Sequence, residues 1–267
     1  MGVVNVTPDS FSDGGRYLDL DAAVAHGLRL AAEGADLLDV GGESTRPGAT
    51  PVTEAVERAR VVPVVSALAA EAGVPISCDT SKATVAAAAL DAGAVIVNDV
   101  SAGLADPAML EVVAAAGAGF VAMHMRGDPP TMQADPRYVD IATEVGEFLV
   151  ERLDAARAAG IDADALCADP GFGFGKTVAH NLELLARLGE LVERVEVPVL
   201  VGTSRKSFIG AALDGVAPDA RDDGTLATVM WAIDQGAALV RVHAVRPAVD
   251  AVRLWSAMRT IDAKAVA

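Results

Sequence analysis

Cysteine is scarce in this sequence of 267 residues, which contains two. Cys78 and Cys167 both lie inside apolar runs, where a free cysteine behaves as a small hydrophobic side chain. We therefore expect neither a disulfide nor a cysteine-based metal site. The four histidines show none of the close spacings, such as HxxxH, that bind structural zinc.

Basic residues are also in short supply. The sequence has 21 lysines and arginines against 37 aspartates and glutamates, which gives a formal net charge of −16 at pH 7. A general nucleic-acid-binding protein needs a basic surface to neutralise phosphates, so we expect no nucleic-acid partner. The balance leaves room for a small anionic ligand held by a local cluster of basic side chains.

Long apolar runs are missing as well. The mean hydropathy is +0.37, but the responsible Ala and Val residues are spread along the chain, and no run approaches the ~20 residues of a membrane span. Residues 1–9 lack the basic segment and apolar core of a signal peptide. We therefore expect a cytoplasmic protein with no membrane partner. A composition of 52% hydrophobic and 22% charged residues is typical of globular chains.

Eight short apolar runs alternate with Ala-rich segments of helical periodicity. The runs are continuous and rich in Val, Ile and Leu, as are strands of a parallel sheet that is covered on both faces. The predicted strands are residues 2–6, 37–41, 75–79, 95–99, 119–124, 165–169, 198–203 and 239–243. The predicted helices include residues 20–33, 53–72, 84–92, 107–116, 139–159, 181–195 and 225–235.

This alternation predicts the fold. A strand followed by a helix eight times predicts an α/β protein, a (β/α)8 TIM barrel that forms a single domain over residues 1–267. The alternative is a doubly wound open sheet, which more often carries a glycine fingerprint after its first strand. Residues 5–9 have the sequence Asn-Val-Thr-Pro-Asp instead, which favours the barrel.

Polar side chains stand at the carboxyl ends of the predicted strands. They are Asn5, Asp39, Asp79, Asn98, Asp99, His124, Asp169, Arg241 and His243, and the seventh strand continues into residues 203–206, Thr-Ser-Arg-Lys. Carboxyl strand ends form the catalytic face of TIM barrels, so these residues together predict a binding site there. For Asp39 or Asp99 taken alone, capping of the following helix is an alternative.

The predicted site combines two kinds of chemistry. Asp79, Asn98 and Asp169 offer acceptors that suit the N–C–N edge of a heterocycle. Cations and a predicted helix start suit an anion such as phosphate: Arg46, Arg205, Lys206, Arg241, His243 and residues 204–207. The alternative is a surface cluster of ion pairs with little consequence.

Glycine-rich loops leave the same face. Residues 171–177, Gly-Phe-Gly-Phe-Gly-Lys-Thr, do not form a P-loop, because Pro170 stands where the first glycine is required. We interpret this loop as bringing Phe174 to a planar ligand, with packing against neighbouring helices as the alternative. Residues 7–15 and 41–48 have the composition of mobile lids, with ordinary solvated turns as the alternative.

Eight segments, in this order along the chain, resemble the dihydropteroate synthase family. They are residues 1–15 (MGVVNVTPDSFSDGG), 41–48 (GGESTRPG), 77–80 (SCDT), 97–101 (VNDVS), 123–126 (MHMR), 169–176 (DPGFGFGK), 202–210 (GTSRKSFIG) and 240–243 (VRVH). The resemblance implies a transferase of folate biosynthesis on a TIM barrel. Such an enzyme joins para-aminobenzoate to 6-hydroxymethyl-7,8-dihydropterin diphosphate and releases 7,8-dihydropteroate and pyrophosphate.

The resemblance also implies a role for each matching residue. The pterin would be held by Asp79, Asn98 and Asp169, with Lys206, Met123 and Phe174 around it. The diphosphate would be bound by Arg46, Arg241 and His243, with its Mg²⁺ cofactor on Asn5. The aminobenzoate pocket would be built by Phe11, Asp13, Thr45, Pro47 and Ser207. Asp13, Asp79 and Lys206 would act in catalysis, Asp13 by stabilising positive charge on the methylene carbon.

Two alternatives to a synthase remain open at this point. A methyltransferase that uses methyltetrahydrofolate and a corrinoid protein would keep the pterin contacts but would not need the anion-binding elements. A non-catalytic pterin-binding relative would show damaged loops, and both loops are intact. Pyrophosphate release that requires para-aminobenzoate and Mg²⁺ discriminates between these alternatives. The resemblance further implies a homodimer formed through the barrel helices.

Overall fold

The computed structural model describes residues 1–7, 16–45, 49–128 and 131–261. Its strands are β1 (Gly2–Asn5), β2 (Leu38–Gly41), β3 (Ile76–Asp79), β4 (Ile96–Asp99), β5 (Gly119–Met123), β6 (Leu166–Asp169), β7 (Leu200–Val201) and β8 (Leu239–Val240). Its helices are α1 (Arg16–Ala32), α2 (Glu54–Glu71), α3 (Ala83–Asp91), α4 (Met109–Ala116), α5 (Ile141–Ala158), α6 (Val178–Ala186), α7 (Leu188–Val195), α8 (Ser207–Ala212), α9 (Asp222–Asp234) and α10 (Val245–Ile261). Each strand lies within its predicted run.

The strands close into a parallel barrel. β1 to β6 form one sheet in chain order, and β7 pairs with β8. Parallel bridges between Ala168 and Val199 and between Gly2 and Val242 join the two sheets on either side. The Val3 amide also donates to the Val242 carbonyl at 3.2 Å. The predicted TIM barrel is confirmed, and the open sheet is wrong because the first strand meets the last.

The register of the first four strands brings their carboxyl ends level. Asn5 pairs with Gly41, Gly41 with Asp79, and Asp79 with Asn98. Neighbouring parallel strands with paired ends place the side chains that follow the apolar segments along one rim. The polar strand ends therefore share one end of the barrel.

Buried apolar side chains fill the space between the strands and the outer helices. Val4 and Val97 in the strands and Leu149 in α5 are all 0% exposed. Removing such a side chain from water stabilises the fold by about 1.5–3 kcal/mol. Cys78 is buried among them and Cys167 is half-buried, and both are free thiols. The predicted apolar role is therefore confirmed for Cys78.

The predicted helix over residues 181–195 is wrong as a single element. α6 ends at Ala186 and α7 begins at Leu188, because Arg187 between them has φ −104° and ψ 19°. The Arg187 guanidinium is held by Asp140 at 2.9 Å and by Glu190 at 2.7 Å.

Across the described ranges, no helix combines the length and apolar character that crossing a membrane would need.

A cavity of about 270 Å³ lies at the amino-terminal end of the barrel, opposite the polar rim. Mainly apolar strand residues line it, among them Leu37, Phe120 and Leu166. It lacks the converging polar groups that orient a ligand. The candidate site is therefore the polar rim at the other end.

Candidate active site

Three acceptor side chains meet at the carboxyl ends of β3, β4 and β6. Asp79 and Asp169 are the last residues of their strands and Asn98 is the last but one. Two glycines leave space beside them. A Cβ on Gly41 would lie 3.4 Å from Asp79 Cβ, and a Cβ on Gly202 would lie 3.9 Å from Asp169 Oδ2. Asp79 pairs with Asn98 in the sheet register, and the Arg241 guanidinium interacts electrostatically with both Asp79 and Asp169. The structure therefore brings together the acceptors that the strand ends predicted.

Arg241, directly after β8, joins the opposite side of the rim to these acceptors. Its Nε donates to Asp39 Oδ2 at 2.6 Å and its Nη2 to Asp79 Oδ2 at 3.0 Å. Burial, and after it the charge of Asp39, raises the pKa of Asp79 to about 7, although Arg241 acts in the opposite direction. Asp79 is therefore a carboxyl group that titrates near neutral pH.

Asp39 lies behind this pair and is 0% exposed. Its Oδ2 also accepts from Asn98 Nδ2 at 3.0 Å. Within the described part of the chain, the Oδ1 atoms of Asp39 and Asn98 are buried and have no hydrogen-bond partner. Helix capping by Asp39 is therefore wrong, because its carboxylate binds side chains across the barrel rather than amides of α2.

Lys206 and Phe174 form one wall of the rim. The Lys206 ammonium lies 4.6 Å from the centroid of the Phe174 ring and donates to the Phe172 carbonyl. Burial lowers the pKa of Lys206 to about 8, although Asp169 acts to raise it. A Cβ on Gly173, which has φ +81°, would lie 3.1 Å from Lys206 Cδ. The glycine loop thus leaves room for the lysine beside the aromatic ring.

The base of the glycine loop is fixed by buried polar groups that sequence reasoning did not assign to it. Lys176 Nζ lies 2.8 Å from His124 Nδ1 and donates to the Gly171 carbonyl at 2.9 Å. Burial and then the Lys176 charge lower the pKa of His124 to about 2. His124 was expected at the binding site on the rim, but the structure shows that it holds the base of the glycine loop through Lys176. Asp169 Oδ1 accepts from the Gly171 amide at 2.7 Å, and burial raises the pKa of Asp169.

Two further residues expected at the rim are committed to other partners. Asp99 accepts from the amides of Ser101 and Gly103 at 2.8 Å and 2.7 Å, so it orders the turn after β4. The Arg205 guanidinium forms two 2.7 Å hydrogen bonds with Asp222 of α9. Arg205 was predicted among the anion-binding cations, but the structure commits its guanidinium to α9.

His243 and Ser207 flank the start of α8. Ser204 Oγ lies 2.9 Å from His243 Nδ1 and accepts from the His243 amide at 3.1 Å. Lys206 is the N-cap residue of α8 and Ser207 is its first residue, as the predicted helix start requires. The loop after β7 therefore carries Lys206 and contacts His243 at the same part of the rim.

The remaining predicted site residues divide into two groups. Asn5 and Thr45 are half-buried and Met123 is buried, and Asn5 and Met123 end β1 and β5. Phe11, Asp13, Arg46 and Pro47 lie outside the described residues. Where the structure describes the chain, no group of three or more His, Cys, Asp or Glu side chains is arranged to hold a metal ion.

Comparison with known proteins gives one consistent family. The model of the family described as "Pterin binding enzyme" matches residues 1–243. The dihydropteroate synthase of Mycobacterium leprae (strain TN) is 51% identical, over 96% of this chain and 92% of that protein. Xanthomonas albilineans dihydropteroate synthase with 4-aminobenzoic acid has a TM-score of 0.91 at 51% identity, and covers 97% of this chain and 92% of its own. In complex with 7,8-dihydropteroate, the same bacterium's synthase has a TM-score of 0.88 at 48% identity, with coverage of 97% and 92%.

Proposed function

The chain belongs to the dihydropteroate synthase family, and from this premise we propose where each of its two substrates binds at the polar rim. The protein is a transferase of folate biosynthesis that condenses para-aminobenzoate with 6-hydroxymethyl-7,8-dihydropterin diphosphate. The products are 7,8-dihydropteroate and pyrophosphate. This activity replaces the methyltransferase and the non-catalytic pterin-binding protein that the sequence left open.

The pterin ring lies among the acceptors in our proposal. Asp79, Asn98 and Asp169 accept from its N–H groups. The observation that carries this assignment is the buried Oδ1 of Asn98, which has no hydrogen-bond partner among the described residues. An unpaired buried acceptor is destabilising by about 1–3 kcal/mol, and a ligand N–H relieves that penalty. Lys206 donates to the ring, and Phe174 and Met123 enclose its faces.

In our proposal, the diphosphate binds to the basic side chains of the rim. The Arg241 guanidinium lies next to Asp79 on the rim. A ligand whose ring binds the acceptors can therefore place its diphosphate on Arg241. His243 lies on the same side, beside the loop that carries Lys206. Arg46 is the third proposed diphosphate ligand, on the basis of the sequence motif alone. For a leaving group of high negative charge, this arrangement stabilises the charge that develops as it departs.

We propose Asn5 as the protein ligand of a Mg²⁺ ion that accompanies the diphosphate. Mg²⁺ takes oxygen ligands and is commonly held by one or two protein oxygens together with phosphates and water. The half-buried Asn5 amide at the end of β1 supplies such an oxygen at the rim. The ion, when bound, supplies charge neutralisation of the diphosphate.

The aminobenzoate pocket is proposed from the motifs that surround the rim. Thr45 stands on the connection after β2 and Ser207 begins α8 after β7, both on the same end of the barrel as the pterin acceptors. Phe11, Asp13 and Pro47 complete the proposed pocket. This location places the aryl amine on the side of the pterin that carries its leaving group.

The reaction follows from these positions. The bond between the methylene carbon and the diphosphate oxygen breaks, and its electron pair leaves with pyrophosphate. The positive charge that develops on the methylene is shared with the ring, and carboxylates such as Asp79 and Asp13 stabilise it. The aryl nitrogen then bonds to that carbon and releases a proton. Lys206 holds the ring while the acceptors keep it aligned for attack.

A coupled pyrophosphate assay on the purified chain tests the proposal. Pyrophosphate release should require both para-aminobenzoate and Mg²⁺, and 7,8-dihydropteroate should form in equal amount. Release from the pterin diphosphate without para-aminobenzoate would contradict the proposed coupling of the two substrates. Dependence on Mg²⁺ that is unchanged in Asn5→Ala would contradict the assignment of Asn5.

Asp13 has a separate test, because its proposed role is confined to the transition state. Asp13→Ala should lower kcat and leave the affinity for the pterin diphosphate nearly unchanged. Equal losses in turnover and affinity would count against this role.

We also propose that the enzyme is a homodimer through its outer helices. Large apolar side chains on these helices remain exposed: Leu182 at 43%, Trp231 at 45%, Leu254 at 63% and Met258 at 54%. The Trp231 indole N–H donates to the Leu185 carbonyl, which brings α6 and α9 together at one such region. Light scattering of the purified chain measures the oligomeric state, and a monomer would contradict the proposal.

A cytoplasmic location is the last part of the proposal. Its support is chemical, because free thiols such as Cys78 and Cys167 are typical of reducing compartments. Cell fractionation followed by the pyrophosphate assay tests it.

A further inference from the structure

The buried carboxylate of Asp39 contacts two site residues that have different proposed ligands. Its Oδ2 accepts from Asn98 Nδ2 at 3.0 Å and from Arg241 Nε at 2.6 Å. Asp39 itself is 0% exposed, so no substrate can reach it directly. It is the second residue of β2, two positions before the end of the strand, and forms no hydrogen bond to the backbone of α2 in the described structure. Its contacts therefore point to a role exerted through its neighbours.

The contact with Asn98 determines which end of that amide faces the ligand. A carboxylate oxygen accepts hydrogen bonds and repels another oxygen, so the Asn98 NH₂ group is held against Asp39. The Asn98 Oδ1 is then the end that stays buried without a partner from the described residues. If the amide were rotated, the site would offer donors where the pterin also has N–H donors. Asp39 thus holds the Asn98 amide with its NH₂ group toward the carboxylate, which leaves the Oδ1 acceptor for the ligand.

The contact with Arg241 determines where that guanidinium lies. Nε is held by Asp39, while Nη2 reaches Asp79 at 3.0 Å. A charged hydrogen bond of this kind is short and directional, so it fixes the plane of the guanidinium. The Arg241 side chain is 21% exposed, so part of it still faces the open rim. Its position relative to Asn98 is fixed because both bind the same carboxylate oxygen.

We propose that Asp39 is a positioning residue for the synthase reaction, orienting the Asn98 amide toward the pterin and the Arg241 guanidinium toward the diphosphate. This inference rests on the proposed pterin role of Asn98. Through one shared oxygen, Asp39 sets the spacing between the two ends of the substrate site. It makes no contact with the reacting atoms.

A double-mutant cycle with Asp39→Asn and Asn98→Ala tests this role. The probe is 6-hydroxymethyl-7,8-dihydropterin without its diphosphate, and its binding is measured by fluorescence titration. Asp39→Asn should weaken binding about tenfold or more, the size expected for a lost hydrogen bond to a charged group. In the Asn98→Ala background the same change should have a clearly smaller effect, because Asp39 then has no amide to orient and acts on the pterin site only through the pKa of Asp79.

Arg241 has a parallel readout with inorganic pyrophosphate as the probe. Asp39→Asn should weaken pyrophosphate binding in the parent enzyme and should have little effect in an Arg241→Met background. Asp99→Asn is the matched control, because it changes another buried aspartate of the barrel, in β4, whose hydrogen bonds serve only the turn after that strand. It should lower Tm but leave the binding of both probes unchanged.

The outcomes separate this inference from the proposed function. If Asn98→Ala binds the pterin as well as the parent enzyme, the pterin role of Asn98 fails and the inference fails with it. If Asn98→Ala weakens binding but Asp39→Asn adds its full effect in both backgrounds, only the inference is overturned.

If Asp39→Asn does not fold, the double variant Asp39→Asn with Asn98→Asp supplies a second test. This exchange keeps one amide donor, one carboxylate and an acceptor toward the pterin. The exchanged variant should bind the pterin more tightly than Asn98→Ala, and equal or weaker binding overturns the inference.

Discussion

Asp79 and Lys206 are half-buried groups of opposite charge whose pKa values lie close together. Burial and the charge of Asp39 raise the pKa of Asp79 to about 7, and burial lowers the pKa of Lys206 to about 8. The barrel thus weakens an acid and a base by the same physical cause, which is the loss of water around a charge. Only in a narrow pH range are the carboxylate and the ammonium both predominantly charged.

We expect the affinity for 6-hydroxymethyl-7,8-dihydropterin to follow a bell-shaped pH profile, with limbs near about 7 and about 8. On the acidic side Asp79 is protonated and stops accepting from the ring, and on the alkaline side Lys206 loses its charge. Fluorescence titrations across this range measure the profile. Asp79→Asn should remove the acidic limb and Lys206→Met the alkaline limb. A flat profile in the parent enzyme would contradict both assignments.

Asp79 should also reduce the stability of the enzyme above neutral pH. Its pKa is raised in the folded state from 3.8 to about 7, so the folded chain binds the proton more tightly than the unfolded chain. The stability from this proton is fully present below about 3.8 and is lost as pH rises through about 7. Asp79→Asn should therefore raise Tm above pH 7, and the gain should shrink toward pH 4. Thermal unfolding followed by circular dichroism measures it, and a gain that is constant with pH would refute the linkage.

The functions of individual polar residues were the hardest feature to predict from the sequence. The strand ends correctly identified Asp79, Asn98 and Asp169 as neighbours, because the barrel fixes where strands end. His124 fits the same pattern but pairs with Lys176, which lies 52 positions further along the chain. No local pattern reveals such a partner. Asp39 was open to a capping interpretation for the same reason.

The connection that leaves β2 is anchored to two helices by a partly buried cluster of charged side chains. Lys82, the N-cap residue of α3, binds Glu43 at 2.6 Å and Glu57 of α2 at 2.5 Å. The Glu57 side chain is 0% exposed, and Glu43 also accepts from the Val52 amide at 2.9 Å. Glu43 precedes Thr45 of the proposed aminobenzoate pocket by two positions. The cluster therefore ties that segment to the barrel.

Lys82→Met should destabilise the enzyme by roughly 3 kcal/mol or more, because it leaves the buried Glu57 without its counter-charge. It should also raise KM for para-aminobenzoate more than KM for the pterin diphosphate, since the cluster adjoins only the aminobenzoate side. Urea unfolding and steady-state kinetics measure these effects. Glu57→Gln is the control, because Lys82 then keeps Glu43, and it should be milder in both respects. Equal changes in the two KM values would argue against the anchor.

Secondary structure was predictable because its causes are local. Continuous apolar runs gave all eight strands, and helical periodicity gave most helices. The break at Arg187 escaped notice because it depends on Asp140, which lies 47 positions away. The glycine loop was correctly separated from a P-loop by its spacing. Glycine is required at Gly171, where φ is +67°, because a Cβ there would collide with the His124 carbonyl oxygen.

The complete barrel depends on a seam between the first and last strands. Val3 donates to the Val242 carbonyl at 3.2 Å, and the Val242 amide donates to the Met1 carbonyl at 3.0 Å. Arg241 and His243 stand on either side of Val242 in the sequence. Closure of the ring thus positions two of the proposed diphosphate ligands. Sequence periodicity predicted eight strands, whereas only the structure gives the pairing that closes them.

Val3→Pro should destabilise the enzyme by more than about 1 kcal/mol, because it removes a buried seam hydrogen bond and introduces a ring that strands accommodate poorly. Pyrophosphate affinity should fall as well, since the seam holds the segment around Arg241. Val3→Ala keeps the amide and serves as the control for the lost side chain. Denaturant unfolding and calorimetric titration measure the two effects. The seam is unimportant if the two variants behave alike.

The two sheets that make up the barrel divide the chemistry of the rim between them. The acceptors Asp79, Asn98 and Asp169 belong to β3, β4 and β6, whereas Lys206 and Arg241 follow β7 and β8. A chain cut between α7 and β7 would therefore yield one fragment that carries the pterin acceptors and another that carries Lys206, Arg241 and His243. Neither fragment alone holds the pterin acceptors together with Lys206 and Arg241, so turnover by a mixture of the two would report directly on their reassembly.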